Sequence, residues 1–431
     1  MVKIDPEGDK LAYIDRVQSQ ELTYFPDALA ENLQAQSCRE VADFLVPLLP
    51  DEDKDLREGE AIGGASGIYG VLSSDMNFYQ PLVTTIVAWG DAEEGNRFSP
   101  IEKKRTFEIP AEKLSREWDK IMGLSMTYDG YLTFSTNYSL VGVVSRDFTE
   151  AHYIQLPTDE YSYNSIATDE NGGIYVVTHK AMYRIQWDGE KLSYDENDGG
   201  WCAEYGSGQL SDVAEVQSKG GSGSTPSLMG TGDQDRFVVI TDGEKLMNMI
   251  LFWRDEIPED WQQLPGTNSR WIAAQVRITF GDPDREDSFS DQSVLVRGYG
   301  AFVVNNKLGI YEDMTLLNTL LGGELDRQPY GCEKFEWDPD TRTLSSVWVN
   351  QEVSFPNAIP TMSEETNLIY GIGARNGIWT VEALDWDTGE SAWYYEVGDR
   401  ARHNSAFAAI LVGPESAMYY GTYFGMIRIH P

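Results

Sequence analysis

Cysteine, histidine and basic side chains are scarce in this 431-residue sequence, and long apolar runs are missing. There are 3 cysteines, and none stands in a CxxC pair, so a zinc site or a thioredoxin-type redox pair has little support. No apolar run approaches the roughly 18–20 residues that a membrane-spanning helix needs, which predicts no membrane insertion. The 33 Lys and Arg residues stand against 70 Asp and Glu residues, a formal net charge of −37. A field this negative repels phosphate backbones and anionic lipid heads, so we expect no nucleic acid or membrane-surface partner.

Neither the cysteines nor the first residues of the sequence decide whether the protein is exported or cytoplasmic. Cys202 and Cys332 could form one disulfide in an exported protein, but their spacing alone does not show it. The sequence starts with MVKIDPEGDK, which has no apolar central stretch of the kind that signal peptides carry. A leader removed before this start would leave the same sequence, so both an exported and a cytoplasmic protein remain possible.

The N-terminal part of the chain differs in texture from the rest. Residues 26–48 space their apolar side chains at helical intervals and start with a proline, which predicts one helix. From about residue 62, apolar runs of four to eight residues alternate with Gly, Asp, Asn and Pro, which is typical of strands and turns. We therefore predict an N-terminal extension over residues 1–61 and a strand-rich domain over residues 62–431.

The strand-rich part repeats one pattern. Each copy has a small polar start, a short apolar strand, an acidic or Gly turn, a second strand, a second turn and a third strand. Four clear copies and three weaker ones begin at or near Asn164, Ser224, Asn357, Asn404, Met122, Gln292 and Gly63. Such units bury their faces against neighbouring units, so we predict a single all-β propeller of about seven blades, with six or eight as alternatives. Residues 11–24 could supply a strand that the last copy lacks.

One turn carries a family resemblance. In ALDWDTGESAW, residues 383–393, the side chains of Asp385, Thr388, Gly389 and Trp393 match the repeat of pyrroloquinoline-quinone-type (PQQ-like) propellers. There the Trp docks between blades. NSIATDENGGIYVVT, beginning at Asn164, looks like the SMP-30/gluconolactonase and strictosidine-synthase group of propellers. The resemblance implies a propeller and, because many such proteins are exported, a periplasmic or secreted location. Quinoprotein dehydrogenases are longer and carry a vicinal Cys-Cys pair, which this sequence lacks, so we do not expect bound PQQ.

Propeller geometry predicts where a site would form. The innermost strand of each blade starts on the same face to which the second strand returns, so strand starts and second turns should converge there on rigidly held loops. The strand starts and second turns of this sequence carry Asn164, Thr225, Ser293, Asn357, Asn404, Asn137, His179, Asp242, Asn306, Arg375 and Tyr423, with His403 beside Asn404.

These residues suggest roles at that face. His403, Arg375, Asp242 and His179 are candidate catalytic residues, with His403 as the acid/base because its unperturbed pKa lies near neutrality. Candidate substrate-binding residues are Asn164, Thr225, Asn357, Asn404 and Tyr423. Each has a structural alternative: Asn residues cap turns, histidines pack under blade edges or lie in solvated turns, and Arg375 could pair with an acid instead of a substrate carboxylate.

A calcium ion is the candidate cofactor. A ring of Asn oxygens with a carboxylate can hold Ca²⁺, which accepts 6–8 oxygen ligands. Gluconolactonase-like propellers hold a metal with Glu, Asn and Asp, and Asn164, Asn357 and Asn404 resemble those positions. The Glu expected in the first blade has no clear match, with Glu58 and Glu60 only near the right place.

The predicted function is a non-redox enzyme, a hydrolase, lyase or isomerase, that acts on a small organic molecule at this face. A metal ion could polarise a substrate oxygen there. The alternative is a non-catalytic binding or scaffold protein, because propellers do both. The sequence leaves the substrate and the oligomeric state open.

Overall fold

The computed structural model describes residues 2–8, 11–17, 27–48, 69–117, 119–207, 221–310, 315–405 and 407–430. The chain divides into two compact units. Unit 1 comprises Met1–Tyr24 and Glu52–Glu204, and unit 2 comprises Phe25–Asp51 and Tyr205–Pro431. Each unit is described by itself below.

The described residues of unit 1 form a two-stranded hairpin and three larger sheets, all antiparallel. The hairpin pairs β1 (Val2–Asp5) with β2 (Ala12–Arg16). The three sheets, each in chain order, are β3 (Val71–Leu72), β4 (Phe78–Leu82), β5 (Thr85–Asp91) and β6 (Ile101–Glu108); β7 (Ile121–Met126), β8 (Leu132–Thr136), β9 (Leu140–Val144) and β10 (Ala151–Gln155); and β11 (Ala167–Thr168), β12 (Gly173–Val177), β13 (Ala181–Trp187), β14 (Leu192–Ser193) and β15 (Trp201–Glu204). In the last sheet both β14 and β15 pair with β13.

Within its described residues, unit 2 contains four further antiparallel sheets and three short α-helices. The helices are α1 (Asp27–Gln34), α2 (Cys38–Leu45) and α3 (Thr315–Leu321). The sheets are β16 (Ser227–Met229), β17 (Phe237–Thr241), β18 (Asn248–Trp253) and β19 (Ile272–Arg277); β20 (Leu295–Arg297), β21 (Gly300–Val304), β22 (Tyr330–Asp338) and β23 (Thr343–Ser354); β24 (Thr361–Ser363), β25 (Leu368–Arg375), β26 (Ile378–Asp385) and β27 (Ser391–Gly398); and β28 (Leu411–Val412), β29 (Met418–Thr422) and β30 (Gly425–Ile429).

Seven successive meander sheets are the blades of a β-propeller, so the predicted fold class is confirmed. The second strands explain why the sequence signal was clear. Runs such as GIYVV in β12 and FVVIT in β17 are buried along their whole length, because each strand is covered on both faces. Strands covered on both faces read as continuous Val- and Ile-rich runs instead of alternating ones.

The helix predicted over residues 26–48 is two helices in the structure. The helix is interrupted at residues 35–37, and Ser37 caps the second helix. The Ser37 Oγ accepts the Glu40 N–H over 3.2 Å, and the Glu40 carboxylate accepts the Ser37 N–H over 2.8 Å. This reciprocal capping box satisfies donors that a continuous helix would have paired internally. Leu33, Cys38 and Val41 face the core of unit 2.

Tryptophans at the ends of third strands join neighbouring blades. The Trp187 indole N–H, at the end of β13, donates to Asp129 between β7 and β8 over 2.9 Å. In unit 2 the Trp337 indole in β22 donates to Asp235 between β16 and β17 over 3.0 Å. The resemblance to the PQQ-like repeat implied that Trp393 docks between blades. This is wrong, because Trp393 is 39% exposed on the outer strand β27. The third-strand tryptophans take that role.

The matching turn itself is built by hydrogen bonds. Oδ1 of Asp385 accepts the N–H groups of Asp387 and Thr388 over 3.0 and 2.9 Å and the Thr388 hydroxyl over 3.0 Å. Gly389 follows with a φ of +73°, a left-handed conformation that favours glycine. The Asp-x-x-Thr-Gly pattern is therefore a structural turn.

Three smaller sequence predictions also meet the structure. Residues 12–16 form a strand, as expected for part of residues 11–24, but its partner is β1, and residues 18–24 lie outside the described residues. Residues 49–68, with Glu58, Glu60 and Gly63, lie outside them as well. Cys202 and Cys332 are free thiols, so the suggested disulfide is absent. The longest helix in the described part of the chain has 8 residues, well short of a membrane span.

Candidate functional site

Strand starts and second turns of neighbouring blades lie side by side in unit 2. The Ser224 hydroxyl oxygen lies 2.8 Å from the Thr241 hydroxyl oxygen and donates to the Gln292 carbonyl over 2.9 Å. The Asn306 side-chain oxygen accepts the Asp291 N–H over 3.0 Å. The Ser224–Gln292 contact links two successive blades, and the other two contacts join a strand start to the second turn of the same blade. Together these residues define the strand-start face of unit 2.

Asn357 and Asn404 meet at this face, with their amide groups fully engaged. Nδ2 of Asn357 donates to Oδ1 of Asn404 over 2.8 Å and to the Thr319 carbonyl at the end of α3 over 2.8 Å. Nδ2 of Asn404 donates to the same carbonyl over 3.0 Å. The Ser405 hydroxyl donates to Oδ1 of Asn357 over 3.2 Å. Both Asn side chains are buried, and they tie two blades to α3.

The calcium site stays a prediction, and the structure shows how its two Asn residues of unit 2 are bonded. The amide oxygens of Asn357 and Asn404 that would face a cation already accept hydrogen bonds from Ser405 and Asn357. In the described part of the chain, no group of three His, Cys, Asp or Glu residues is placed to hold a metal ion. We therefore derive no chemical step through a metal.

His403 is held in a structural position. It is 9% exposed, and its ring packs on Gly398, where a Cβ would lie 2.2 Å from Cε1 of the ring. The Arg400 N–H approaches Nδ1 at 3.1 Å, and Nε of Arg402 approaches Nε2 at 3.2 Å. Burial, reinforced by the Arg402 charge, lowers the pKa of His403, so the imidazole is neutral at physiological pH.

Arg375 is bound to a buried glutamate. Its Nε and Nη2 donate to the two carboxylate oxygens of Glu382 over 2.8 and 2.7 Å. The Glu382 side chain is fully buried and also accepts the Thr380 hydroxyl over 2.5 Å. The structure thus realises the second alternative for Arg375, pairing with an acid, and the guanidinium fork is occupied.

Thr225 and Tyr423 complete the predicted residues of unit 2. Thr225 is partly exposed and directly follows Ser224, which joins two blades at this face. Tyr423 is half-buried against the core that contains α2 and α3, and burial raises the pKa of its phenol far above the usual value. Tyr423 therefore stays a neutral hydroxyl, which can donate a hydrogen bond but does not ionise at physiological pH.

Asp242 is a buried carboxyl at the second turn of its blade. Oδ1 accepts the Asn248 N–H over 2.7 Å, and Oδ2 accepts Nδ2 of Asn248 over 2.6 Å. Burial raises the pKa of Asp242 to about 7, against the opposing effect of these donors. Asp242 is thus a titratable group near neutral pH, but Asn248 restrains its carboxylate.

Asp291 is a titratable group that the sequence analysis missed. The residue as a whole is half-buried, and burial of the carboxyl alone raises its pKa to about 7, because no described residue forms a hydrogen bond to its carboxylate. A Cβ at Gly223 would lie 2.5 Å from Oδ1 of Asp291, so glycine is required for this close approach. The sequence signal for Asp291 was its position two residues before Ser293, which the sequence analysis places at a strand start.

Gln292 adds unused polar atoms beside Asp291. Its side chain is 2% exposed, and neither its amide nitrogen nor its amide oxygen has a hydrogen-bond partner in the described part of the chain. Buried polar groups are almost always paired, so an unpaired amide next to an unpaired carboxyl indicates a place where a ligand or water completes the bonding. Asp291, Gln292 and Asp242 form the candidate site of unit 2.

His179 and Asn164 belong to unit 1. The His179 ring stacks on Tyr161, with centroids 3.7 Å apart and an interplanar angle of 1°. The Tyr161 N–H donates to Nδ1 of His179 over 3.2 Å, and burial lowers the pKa of this histidine to about 4. Asn164, in the same unit, is buried and 5% exposed. His179 is therefore neutral and a weak base at physiological pH.

The seven blades and the polar strand-start face define the chain as a seven-bladed β-propeller protein. No family model matches it. A protein of Archaeoglobus fulgidus that carries the name "uncharacterized protein" is 47% identical over 389 residues, which cover 88% of this chain and 72% of that one. The chain belongs to the family of this Archaeoglobus fulgidus protein.

Solved structures show similarity in fold. The Saccharomyces cerevisiae protein Sqt1 superposes with a TM-score of 0.50 at 8% identity, over 85% of this chain and 82% of that one. The periplasmic gluconolactonase PpgL of Pseudomonas aeruginosa has a TM-score of 0.45 at 13% identity, over 77% and 86%. Virginiamycin B lyase of Staphylococcus aureus has a TM-score of 0.42 at 13% identity, over 84% and 94%. Identities this low bear on the fold alone.

Proposed function

We propose that this protein is a non-redox enzyme that acts on a small polar organic molecule at the strand-start face of unit 2. The observation that supports it is the Asp291 carboxyl, which belongs to a half-buried residue, is unpaired among the described residues and has a pKa that burial raises to about 7. A group whose pKa lies near the working pH both accepts and donates protons effectively. The proposal includes hydrolase, lyase and isomerase chemistry, all of which need such a group.

Asp291 is the proposed general acid/base. Its backbone is fixed by the Asn306 side chain, and Gly223 leaves space for the carboxyl, so its position depends on rigid elements of two blades. The Gln292 amide would hydrogen-bond the substrate's polar groups, which would satisfy an amide that is otherwise buried and unpaired. Asp242 is the second titratable carboxyl of the same face.

This assignment changes the roles of the residues first predicted for catalysis. Arg375 neutralises Glu382, and His403 is enclosed by Gly398, Arg400 and Arg402. We propose that both support the fold of unit 2 and that neither transfers the proton. Asn357 and Asn404 likewise hold the blades to α3.

The test is a turnover screen with lactones, aryl esters and cyclic amides, followed by kinetics of the Asp291→Asn variant. We expect kcat/KM to fall by about 10²-fold or more, the usual contribution of a general acid/base. The wild-type rate should change with pH around 7, where the Asp291 carboxyl titrates. Asp340→Asn is the matched control, because Asp340 is exposed in a turn of the same unit.

Two results would contradict this function. If Asp291→Asn and Asp340→Asn retain equal turnover, Asp291 is not the acid/base. If no compound in the screen is turned over while ligands still bind at Gln292, the protein is a binding protein without chemistry.

A further inference from the structure

An open cavity of about 800 Å³ lies in unit 2, outside the Asp291 and Gln292 site. Its wall is formed by the turn between β17 and β18, the end of β19 and the loop after it. The lining residues include Lys245, Asn248, Gln275, Arg277, Arg285 and Glu244. The volume is within the range of roughly 300–1,000 Å³ that small-molecule sites occupy.

Three cations line this cavity and form no close ion pair with the described residues, although the Arg285 charge acts on the carboxyl of Glu333 from farther away. In the described part of the chain, no carboxylate oxygen lies within 4.0 Å of the charged nitrogens of Lys245, Arg277 or Arg285. The Arg285 Nε atom is buried and has no hydrogen-bond partner there, while its guanidinium lies over the Phe280 ring at 5.3 Å. A buried guanidinium N–H without an acceptor costs free energy, so an acceptor atom of a ligand would bind favourably there.

Unpaired cations are unexpected in a chain with 70 acidic and 33 basic residues. Other basic residues of unit 2 do find acids: Arg236 pairs with Asp255 at 2.8 Å, and Arg342 pairs with Asp260 at 2.9 Å. The cavity therefore combines three available positive charges with an overall field that repels anions elsewhere on the protein.

The remaining lining side chains restrict the kind of anion. Gln275 offers an amide donor and acceptor, Asn248 offers its amide oxygen, and Glu244 and Glu286 offer acceptors for hydroxyl groups. A simple inorganic anion would leave the glutamates facing its charge. A molecule with an anionic group and hydroxyl groups would give both the cations and the carboxylates of this lining a partner.

We infer that this cavity binds a small hydroxylated organic anion, with a carboxylate or phosphate group held by Lys245, Arg277 and Arg285. Arginine recognises both groups through two parallel N–H bonds, so the shared chemistry is the anionic end. The inference does not rest on the proposed acid/base Asp291, because neither Asp291 nor Gln292 lines the cavity. The cavity does border the third residue of that site, because the lining residue Asn248 hydrogen-bonds Asp242.

The test is calorimetric titration of the full chain, at constant ionic strength, with tartrate, glycerol 3-phosphate and the neutral polyol erythritol. We expect at least one of the two anions to bind and erythritol not to bind. The anion that binds more tightly tells whether the natural group is a carboxylate or a phosphate. Arg277→Gln should weaken binding by about tenfold, because a charge-assisted contact is lost.

Two variants control the result. Arg270→Gln removes a similarly exposed arginine just before the opposite end of β19 and should leave binding unchanged. Glu244→Gln should strengthen binding, because it removes a negative charge from the wall. Binding of neither anion, equal binding by Arg277→Gln and Arg270→Gln, or weaker binding by Glu244→Gln would each overturn the inference. Asp291→Asn should bind the anion normally, which separates this result from the proposed function.

Discussion

Arg375 and Glu382 form a two-pronged ion pair between strands β25 and β26, with nitrogen–oxygen distances of 2.8 and 2.7 Å. Glu382 is fully buried, so Arg375 supplies the charge that makes burial of this carboxylate tolerable. An arginine that looks suited to grip a substrate anion is thus committed to the interior of one blade.

Removing Arg375 should destabilise unit 2 strongly. Arg375→Met leaves the buried Glu382 charge unpaired, and the expected loss in free energy of unfolding is about 3–5 kcal/mol. Chemical denaturation of the purified variant measures it. The double variant R375M/E382L should recover most of the loss, since replacing both partners by apolar groups is nearly neutral. If the double variant is less stable than R375M, the ion pair is not the cause.

The stability of the protein should depend on the Asp291 carboxyl. Its pKa is about 7 in the folded chain and about 3.9 in an unfolded chain, so between these values the folded state binds more protons and stability falls as pH rises. The wild type should lose unfolding free energy between about pH 5 and pH 8. In Asp291→Asn this loss should be smaller by about 1–3 kcal/mol. Denaturation curves at both pH values measure it, and Asp340→Asn should behave as wild type.

The same substitution should separate stability from activity. At about pH 8, Asp291→Asn should be at least as stable as the wild type, because it no longer buries a charged carboxylate. A loss of turnover in this variant would then reflect lost chemistry. A less stable variant at that pH would mean that the Asp291 carboxylate is paired in the folded protein.

The Asn357 and Asn404 pair should behave as a structural clamp. Asn404→Ala removes the acceptor of Asn357 and two bonds to carbonyls at the end of α3, at an expected cost of about 2–3 kcal/mol. Thermal unfolding measures it. Calcium or EDTA should shift the Tm of the variant and of the wild type equally. A calcium-dependent increase in Tm that Asn404→Ala abolishes would restore these residues as metal ligands.

The inter-blade tryptophans should be sensitive to loss of a single N–H group. Trp337→Phe keeps an aromatic ring beside Phe237 but removes the donor to Asp235, with an expected cost of about 1–3 kcal/mol. Denaturant titration followed by circular dichroism measures it. Trp393→Phe is the control, because this residue is 39% exposed on the outer strand of its blade and the change should affect stability little.

Much of the fold could be predicted because blades are local structures. Each meander is formed by strands that follow one another along the chain, so apolar runs such as FVVI and turns such as Asp-x-x-Thr-Gly determine them directly. The two-helix form of residues 27–45 was also encoded locally, in the Ser37 and Glu40 capping box, but the apolar spacing across it concealed the break.

The site was only partly predictable for the opposite reason. Placing Asn306, Asp242 and Asn357 on the strand-start face follows from strand order, which the repeats supply. The sequence by itself therefore determined which residues reach this face of unit 2. Whether each side chain is available there was decided by tertiary structure, because its hydrogen-bond partners come from distant segments. Asn404 is saturated by a carbonyl of α3, some 85 residues away, whereas the carboxyl of Asp291 meets no such donor among the described residues.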